Sequence, residues 1–279
     1  MKLITWNIQW GLGMDGRLDL ARIVAEAGRI ADFDVLCLQE VADGFSDLDQ
    51  HDGGNQFAQI ASLLPGYEAI EGIAVDLPGE RGRRRRFGNM ILSRLPVGRI
   101  VRHTLPWDAD PTTRNMPRLL LEAEVRAPFG PVRVMTTHLE YHSAALRSAQ
   151  AAAILGVHRQ ATLRAWQPPK PAAGPYADGQ TPLASILTGD FNMRPEDPVK
   201  RSLSAPLGKD LAGFVDAWEA LHPGEAHPPS FCIANQNYGT PHCCDYVFVS
   251  DDLVPRLRSI TYETATRASD HQPAFMYLK

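Results

Sequence analysis

Along the 279-residue chain, short apolar runs alternate with longer amphipathic stretches. Residues 3–8, 35–38, 90–92, 119–125, 132–137, 185–187 and 246–249 are brief and rich in β-branched or aliphatic side chains, and each is predicted to be a strand. Leu20, Ile23, Val24 and Ala27 recur at i, i+3, i+4 and i+7, which predicts a helix between the first two strands. A second helix is predicted over 55–64, stopped by Pro65-Gly66. The longest is predicted over the alanine-rich residues 144–166, with Ser143 as its N-cap. The turn-forming link Ala127-Pro128-Phe129-Gly130-Pro131 joins two strands as a hairpin. Strands paired this directly, in a chain whose other strands alternate with helices, predict an α/β fold with a mixed sheet.

Residues 76–87 and 167–181 read as surface insertions. Arg81–Arg86 holds five arginines in six residues, and 167–181 is rich in Pro, Ala and Gly. The polar motifs described below are spread from Asn7 to His271, so they predict one domain over 1–279 that gathers them in one cleft.

The apolar content of 44% and charged content of 22% are ordinary for a globular chain. A net charge of −4 argues against coating nucleic acid through bulk charge, and leaves a local approach through a cation and a basic loop open. No apolar run reaches spanning length and no apolar leader follows Lys2, so residence is expected to be cytoplasmic without membrane insertion. The four cysteines (Cys37, Cys232, Cys243, Cys244) lack C-x-x-C spacing and are expected to be reduced thiols. A zinc site from Cys232, His242 and Cys243 is the competing reading. No feature calls for an obligate protein partner.

Polar residues close or flank the strand-like runs: Asn7, Glu40, His138, Asp190, Asn192, and the pair Asp270-His271. Strand ends are where α/β folds place ligand groups. Amides, carboxylates and imidazoles together suit a hard, oxygen-loving cation and an anionic substrate.

The segments Thr5-Trp6-Asn7-Ile8-Gln9, Leu38-Gln39-Glu40, Gly88-Asn89-Met90-Ile91-Leu92-Ser93, Thr137-His138-Leu139, Gly189-Asp190-Phe191-Asn192, Asp245-Tyr246-Val247-Phe248-Val249 and Ser269-Asp270-His271-Gln272-Pro273 resemble, in order, the motifs of the endonuclease/exonuclease/phosphatase family. The resemblance implies a four-layer α/β sandwich: two mixed, largely antiparallel sheets packed face to face, helices outside, and a site at one edge. It implies a Mg2+ or Mn2+ ion held by Glu40, with Asn7 and Asp270 beside it. Asp190 would orient or deprotonate the attacking water, Asn192 would donate a hydrogen bond near the phosphate, and Asp245 would fix the tautomer of a phosphate-contacting His271. His138 matches the branch of deoxyribonucleases and sphingomyelinases. Arg118 is a candidate phosphate contact, and Asn89 either binds substrate or buttresses the site. Gln9 departs from relatives that carry an acidic residue or asparagine there.

The chemistry agrees with these roles. A divalent cation neutralises phosphoryl charge, a carboxylate behind an imidazole favours its protonated form, and an amide stabilises an oxyanion without carrying charge. His51, His103, His142, His158, His222, His227 and His242 have no such motif and read as structural or surface residues. An arginine run is most often a solvated loop, and the position of this one directly before Phe87-Gly88-Asn89 gives a substrate-facing role more weight. The expected activity is hydrolysis of a phosphate ester, first a phosphodiester of DNA or RNA. The alternatives are a phospholipid or small phosphorylated metabolite, and a non-catalytic nucleic-acid-binding relative.

Overall fold

The computed structural model describes residues 1–109, 111–177, 179–208, 211 and 213–279, apart from the side chain of Arg81. In chain order the elements are β1 (Lys2–Asn7), α1 (Leu20–Ile30), β2 (Val35–Asp43), α2 (Gln56–Leu63), β3 (Glu68–Pro78), β4 (Arg84–Ser93), β5 (Val97–Thr104), β6 (Leu119–Ala127) and β7 (Gly130–His138). There follow α3 (Ala144–Trp166), β8 (Ser185–Asp190), α4 (Pro198–Ser204), β9 (Val215–Asp216), α5 (Ala217–Leu221), β10 (Asp245–Val249), β11 (Leu257–Tyr262) and β12 (Ala274–Leu278). They form two six-stranded sheets, ordered β11-β12-β1-β2-β4-β3 and β5-β6-β7-β8-β10-β9. The pairs β1–β2 and β7–β8 are parallel, and the remaining pairs between named strands are antiparallel.

The period-two alternation of the strands makes the layers. Leu3, Val35, Cys37, Leu121, Val134 and Ile186 point between the sheets and join one core cluster. Their neighbours Ile4, Leu36 and Leu38 meet Ile23 of α1 and Phe57 and Ile60 of α2. On the opposite outer face, Leu120, Met135, Leu187 and Phe248 meet Ile154 of α3 and Leu203 of α4. The result is the expected four-layer sandwich with helices outside.

Local signals fixed the helix ends as read. Ser143 accepts from the Leu146 amide at the start of α3, and Asn55 from the Ala58 amide at the start of α2. Strands β3, β5, β9 and β11 were not predicted: β9 has only two residues, and exposure explains the others. Edge strands β3 and β5 are only partly buried, so their sequences EAIEGIAVDLP and VGRIVRHT carry polar residues throughout. Residues 76–78 and 84–87 are the outer ends of the β3–β4 hairpin, and the arginines stand at its tip. No helix among the described residues is long and apolar enough to cross a membrane.

Candidate active site

The two parallel pairs aim their ends at the same edge of the sandwich. Asn7 is in register with Gln39, His138 with Asp190, and Asp190 with Asp245 across the antiparallel β10. Strand ends from both sheets thus meet without any long loop. The sheets are tied there by Gln39, whose buried amide donates to Thr136 Oγ1 at 2.8 Å and to Thr5 Oγ1 at 3.3 Å.

Glu40 reaches the edge by a break in pairing. The β2–β4 register shifts between Leu38 and Val41, and Glu40 takes a left-handed backbone with φ 61°. A bulge re-aims a side chain in this way. Asn192, at φ 49°, makes a similar turn after β8. Left-handed backbone in residues with side chains is strained by about 1–3 kcal/mol each and clusters at functional sites.

A cleft of about 310 Å³ at this edge is lined by Glu40, Arg118, His138, Asp190, Asn192, Asp270 and His271, with Gln9, Trp10 and Arg114 on its wall. Asp190 is 1% exposed. Its Oδ2 accepts from Asn7 Nδ2 at 3.0 Å, and its Oδ1 from the Asn192 backbone amide at 2.9 Å. The same Asn7 amide donates to Glu40 Oε1 at 3.0 Å, so one side chain braces both carboxylates. Asn192 Nδ2 donates to the Leu139 carbonyl at 2.9 Å.

His271 and Asp245 form a buried pair, with Nδ1 and Oδ2 2.9 Å apart. Asp245 Oδ2 also accepts from Ser230 Oγ at 2.6 Å, while its Oδ1 has no partner. His271 Nε2 lies 3.6 Å from Asp190 Oδ2. Trp6 Nε1 donates to the His271 carbonyl at 2.9 Å, and the Phe231 ring stacks on the imidazole at 4.4 Å. Burial opposes the imidazolium, but Asp245, Asp190 and Asp270 outweigh it and hold the His271 pKa well above the usual value.

His138 is its opposite. Burial and the Arg118 guanidinium push its pKa down to about 3, against the pull of Asp190. It stands as a neutral imidazole, Nε2 3.5 Å from Asp190 and Nδ1 3.9 Å from Glu40. These two carboxylates are the neighbours that no motif revealed.

Glu40 feels the same crowding. Burial and the charges of Asp270 and Asp190 push its carboxyl up to about 7, against the Asn7 amide. Burial also raises Asp270, helped by Asp190 and opposed by His271. Three carboxylates brought together in a low-dielectric cleft match an oxygen-donor cation site, and a bound divalent ion would relieve the repulsion. The donor set therefore fits Mg2+ or Mn2+, with Glu40 and Asp270 as anionic ligands and Asn7 beside them.

Arg118 is 7% exposed. Its Nε lies 3.6 Å from Glu140 Oε2, and its Nε and Nη1 have no hydrogen-bond partner. Asn89 stands apart from these groups. It is 2% exposed, does not line the cleft, and its amide donates to the Leu119 carbonyl of the other sheet. Of its two expected roles, this position favours the buttress. Of the arginine run, Arg84 pairs with Asp76, Arg85 with Asp47, and Arg86 with Asp43 and Glu71. Arg83 lies 3.7 Å from Asp43, and the Arg81 side chain falls outside the described residues.

The sequence reading missed Ser230, Phe231 and Glu140. Each lies in a segment with no periodic pattern, and a lone serine or phenylalanine there carries no signal. The zinc alternative fails. All four cysteines are free and buried. Burial drives the Cys243 thiol far above its ordinary pKa, and its Sγ donates to the Asp245 carbonyl at 3.2 Å. Among the described residues, two groups of three His, Cys, Asp or Glu have ligand atoms all within 4.8 Å of one another, Asp190–Cys244–His271 and Asp216–Glu219–His227, and neither includes Cys232, His242 and Cys243. In the second, Lys200 Nζ already meets Asp216 at 3.0 Å and Glu219 at 2.5 Å.

No curated protein matches the chain. Among solved structures, an endonuclease/exonuclease/phosphatase from Beutenbergia cavernae is 26% identical, with a TM-score of 0.69, covering 100% of this chain and 71% of that one. Truncated Caenorhabditis elegans TDP2 is 20% identical, with a TM-score of 0.62, covering 99% and 96%. The mannosyl-6-phosphatase Bt3783 of Bacteroides thetaiotaomicron is 17% identical, with a TM-score of 0.63, covering 100% and 99%. The last two likenesses speak for the fold alone. The sequence matches the model of the Endonuclease/Exonuclease/phosphatase family over residues 4–271, and the chain belongs to that family.

Proposed function

We propose that this cleft hydrolyses phosphate esters with a divalent cation, Mg2+ or Mn2+, held by Glu40 and Asp270 beside Asn7. The observation that carries the reading is the placement of Asp190 between two imidazoles, His271 Nε2 at 3.6 Å backed by Asp245 and His138 Nε2 at 3.5 Å, the first with its pKa held up and the second with its pKa pushed down. The bound cation would neutralise phosphoryl charge and stabilise the leaving oxygen.

The chain's own groups account for the rest. Asn7 and the Asn192 amide fix both Asp190 oxygens, so that carboxylate is oriented to take a proton from the attacking water. The water oxygen bonds to phosphorus, the ester P–O bond breaks, and the leaving oxygen departs with the electron pair and takes a proton from solvent, while Asp190 returns its proton to solvent. His271, braced by Asp245, Ser230 and Trp6, offers its Nε2–H to a phosphoryl oxygen. Arg118, which lines the cleft, supplies a second contact to phosphate. Neutral His138 donates a hydrogen bond without adding charge.

A phosphodiester of DNA or RNA is the first substrate reading. One observation favours a compact substrate instead: Arg84, Arg85 and Arg86 are each paired with a carboxylate, which spends on intramolecular contacts the charge that would track a polyanion. The non-catalytic reading is weakest, because every polar residue of the motif set is present and most converge. Cytoplasmic residence belongs to the same proposal and rests on four unbridged cysteines. The test is a hydrolysis screen with Mg2+ and Mn2+ over a phosphodiester dye, plasmid DNA, abasic DNA, RNA, sphingomyelin and phosphomonoesters. Turnover of at least one, lost in chelator, is expected; none on any substrate would point to the non-catalytic alternative.

A further inference from the structure

Glu140 is 1% exposed and carries a formal charge that the hydrolytic steps do not use. It stands two residues past His138, the last residue of β7. Three hydrogen bonds fix it there. Its backbone amide donates to Gln150 Oε1 at 2.9 Å, its carbonyl accepts from Arg147 Nη1 at 2.9 Å, and its Oε1 accepts from the His142 backbone amide at 2.9 Å. Gln150 and Arg147 are buried residues of α3, so the start of that helix clamps the turn after β7.

Serving the His142 amide takes one oxygen, which a glutamine would supply equally well. What a carboxylate adds is negative charge, and a buried carboxylate without a compensating cation is costly. The second oxygen, Oε2, is buried without a hydrogen-bond partner and lies 3.6 Å from Arg118 Nε. Arg147, the other nearby cation, pairs with Asp197 at 3.4 Å. The charge of Glu140 therefore faces Arg118, close enough to attract it and too far to form a hydrogen bond with its Nε.

Arg118 needs such a partner. Burial opposes its charge, and three carboxylates sustain it: Glu140 first, then Glu40 and Asp190. Without Glu140 the remaining pull would come from the two carboxylates that face the cleft, and the guanidinium would close upon them.

We propose that Glu140 is the positioning residue of Arg118, holding the guanidinium back from Glu40 and Asp190 and keeping it available to a phosphate, an inference that rests on the reading of Arg118 as a phosphate contact.

Isothermal titration of the full chain tests this without turnover, first with Mg2+ alone and then with inorganic phosphate at saturating Mg2+. The proteins are wild type, Arg118→Gln, Glu140→Gln and the double variant. Each single variant should weaken phosphate by about tenfold or more, and the double variant no further than Arg118→Gln, because Glu140 acts through Arg118. Glu140→Gln should also weaken Mg2+ several-fold, as Arg118 turns to Glu40, and the double variant should recover it. If circular dichroism shows Glu140→Gln to be misfolded, Glu140→Asp replaces it. Withdrawing the carboxylate by one methylene should weaken phosphate about threefold, again only while Arg118 is present. Phosphate affinity lowered in Arg118→Gln but unchanged in the Glu140 variant would overturn the positioning role alone. Losses that add in the double variant would make Glu140 merely structural and overturn it too. Wild-type phosphate affinity in Arg118→Gln would remove the contact itself, and the positioning role with it.

Discussion

Replacing Asp245 probes the buried imidazole pair with unusual selectivity, because of where its hydrogen bonds fall. Oδ2 takes two short partners, Ser230 Oγ at 2.6 Å and His271 Nδ1 at 2.9 Å, and the Cys244 thiol at 3.4 Å, while Oδ1 has none. In Asp245→Asn the amide oxygen can occupy the Oδ2 position and keep both hydrogen bonds, with the amide nitrogen where Oδ1 was. The geometry survives and the negative charge goes. A hydrogen bond to a charged group contributes about 1.5–3 kcal/mol, against roughly 1 kcal/mol for a neutral one. Loss of the charge alone should therefore raise the barrier by about 1–2 kcal/mol, which is roughly 5- to 30-fold in turnover. Asp245→Ala removes both hydrogen bonds and the brace, and should lose about a thousandfold, near 4 kcal/mol. Turnover is measured at saturating metal on a phosphodiester dye, with melting temperature to confirm folding. The graded order wild type, Asn, Ala is the expected result. Wild-type turnover in Asp245→Ala would refute the role given to the pair. Equal losses in both variants would refute the division between charge and geometry.

Four further outcomes are expected. Glu40→Gln should raise the Mg2+ or Mn2+ concentration needed for half-maximal activity by about tenfold or more, since it removes a formal charge from an oxygen-ligand site; an unchanged metal titration would count against it as a ligand. Trp6→Phe deletes the 2.9 Å hydrogen bond to the His271 carbonyl, and should lower stability by about 1 kcal/mol and turnover several-fold, checked by denaturant melts and kinetics. Neutralising Arg84, Arg85 and Arg86 together should leave KM for DNA and its salt dependence unchanged, because all three are paired with carboxylates; a flatter salt slope would return them to the substrate. Burial opposes ionisation of Asp216, but the His227 hydrogen bond and the Lys200 charge outweigh it and lower its pKa. Its contribution to stability is thus present above the ordinary carboxylate pKa and lost as pH falls through the lowered one, so Asp216→Asn should flatten acid unfolding in that range.

Much of this was legible because the site sits on strand ends. Asn7, His138 and Asp190 each close a short apolar run, and a strand's end is visible wherever hydrophobicity stops. The interior strands, buried on both faces, read clearly for the same reason. Edge strands β3 and β5 did not, since half-exposed strands carry polar residues that mask the period. Glu40 was legible as a residue but not as geometry: nothing in Leu38-Gln39-Glu40-Val41 announces the shift in register that turns its side chain outward. The partners of His138 were hidden because Glu40 and Asp190 come from other strands, joined only by sheet packing. Ser230, which holds Asp245, sits in an irregular segment where sequence carries little local signal. The arginine run stands beside Asn89 in sequence, while in space its charges face Asp43, Asp47 and Asp76, pairings between residues far apart along the chain or across the hairpin that no local pattern announces.

The central claim is that Asp190, between a charged and a neutral imidazole, activates water for a metal-assisted phosphoester hydrolysis. Its most direct test is the single-turnover rate on bis-p-nitrophenyl phosphate for wild type and Asp190→Asn, each with Mn2+ and with chelator. The account predicts turnover by the wild type with Mn2+, loss of about a thousandfold or more in Asp190→Asn, and none for either protein in chelator. Turnover by Asp190→Asn at the wild-type rate, or by the wild type in chelator, would contradict it.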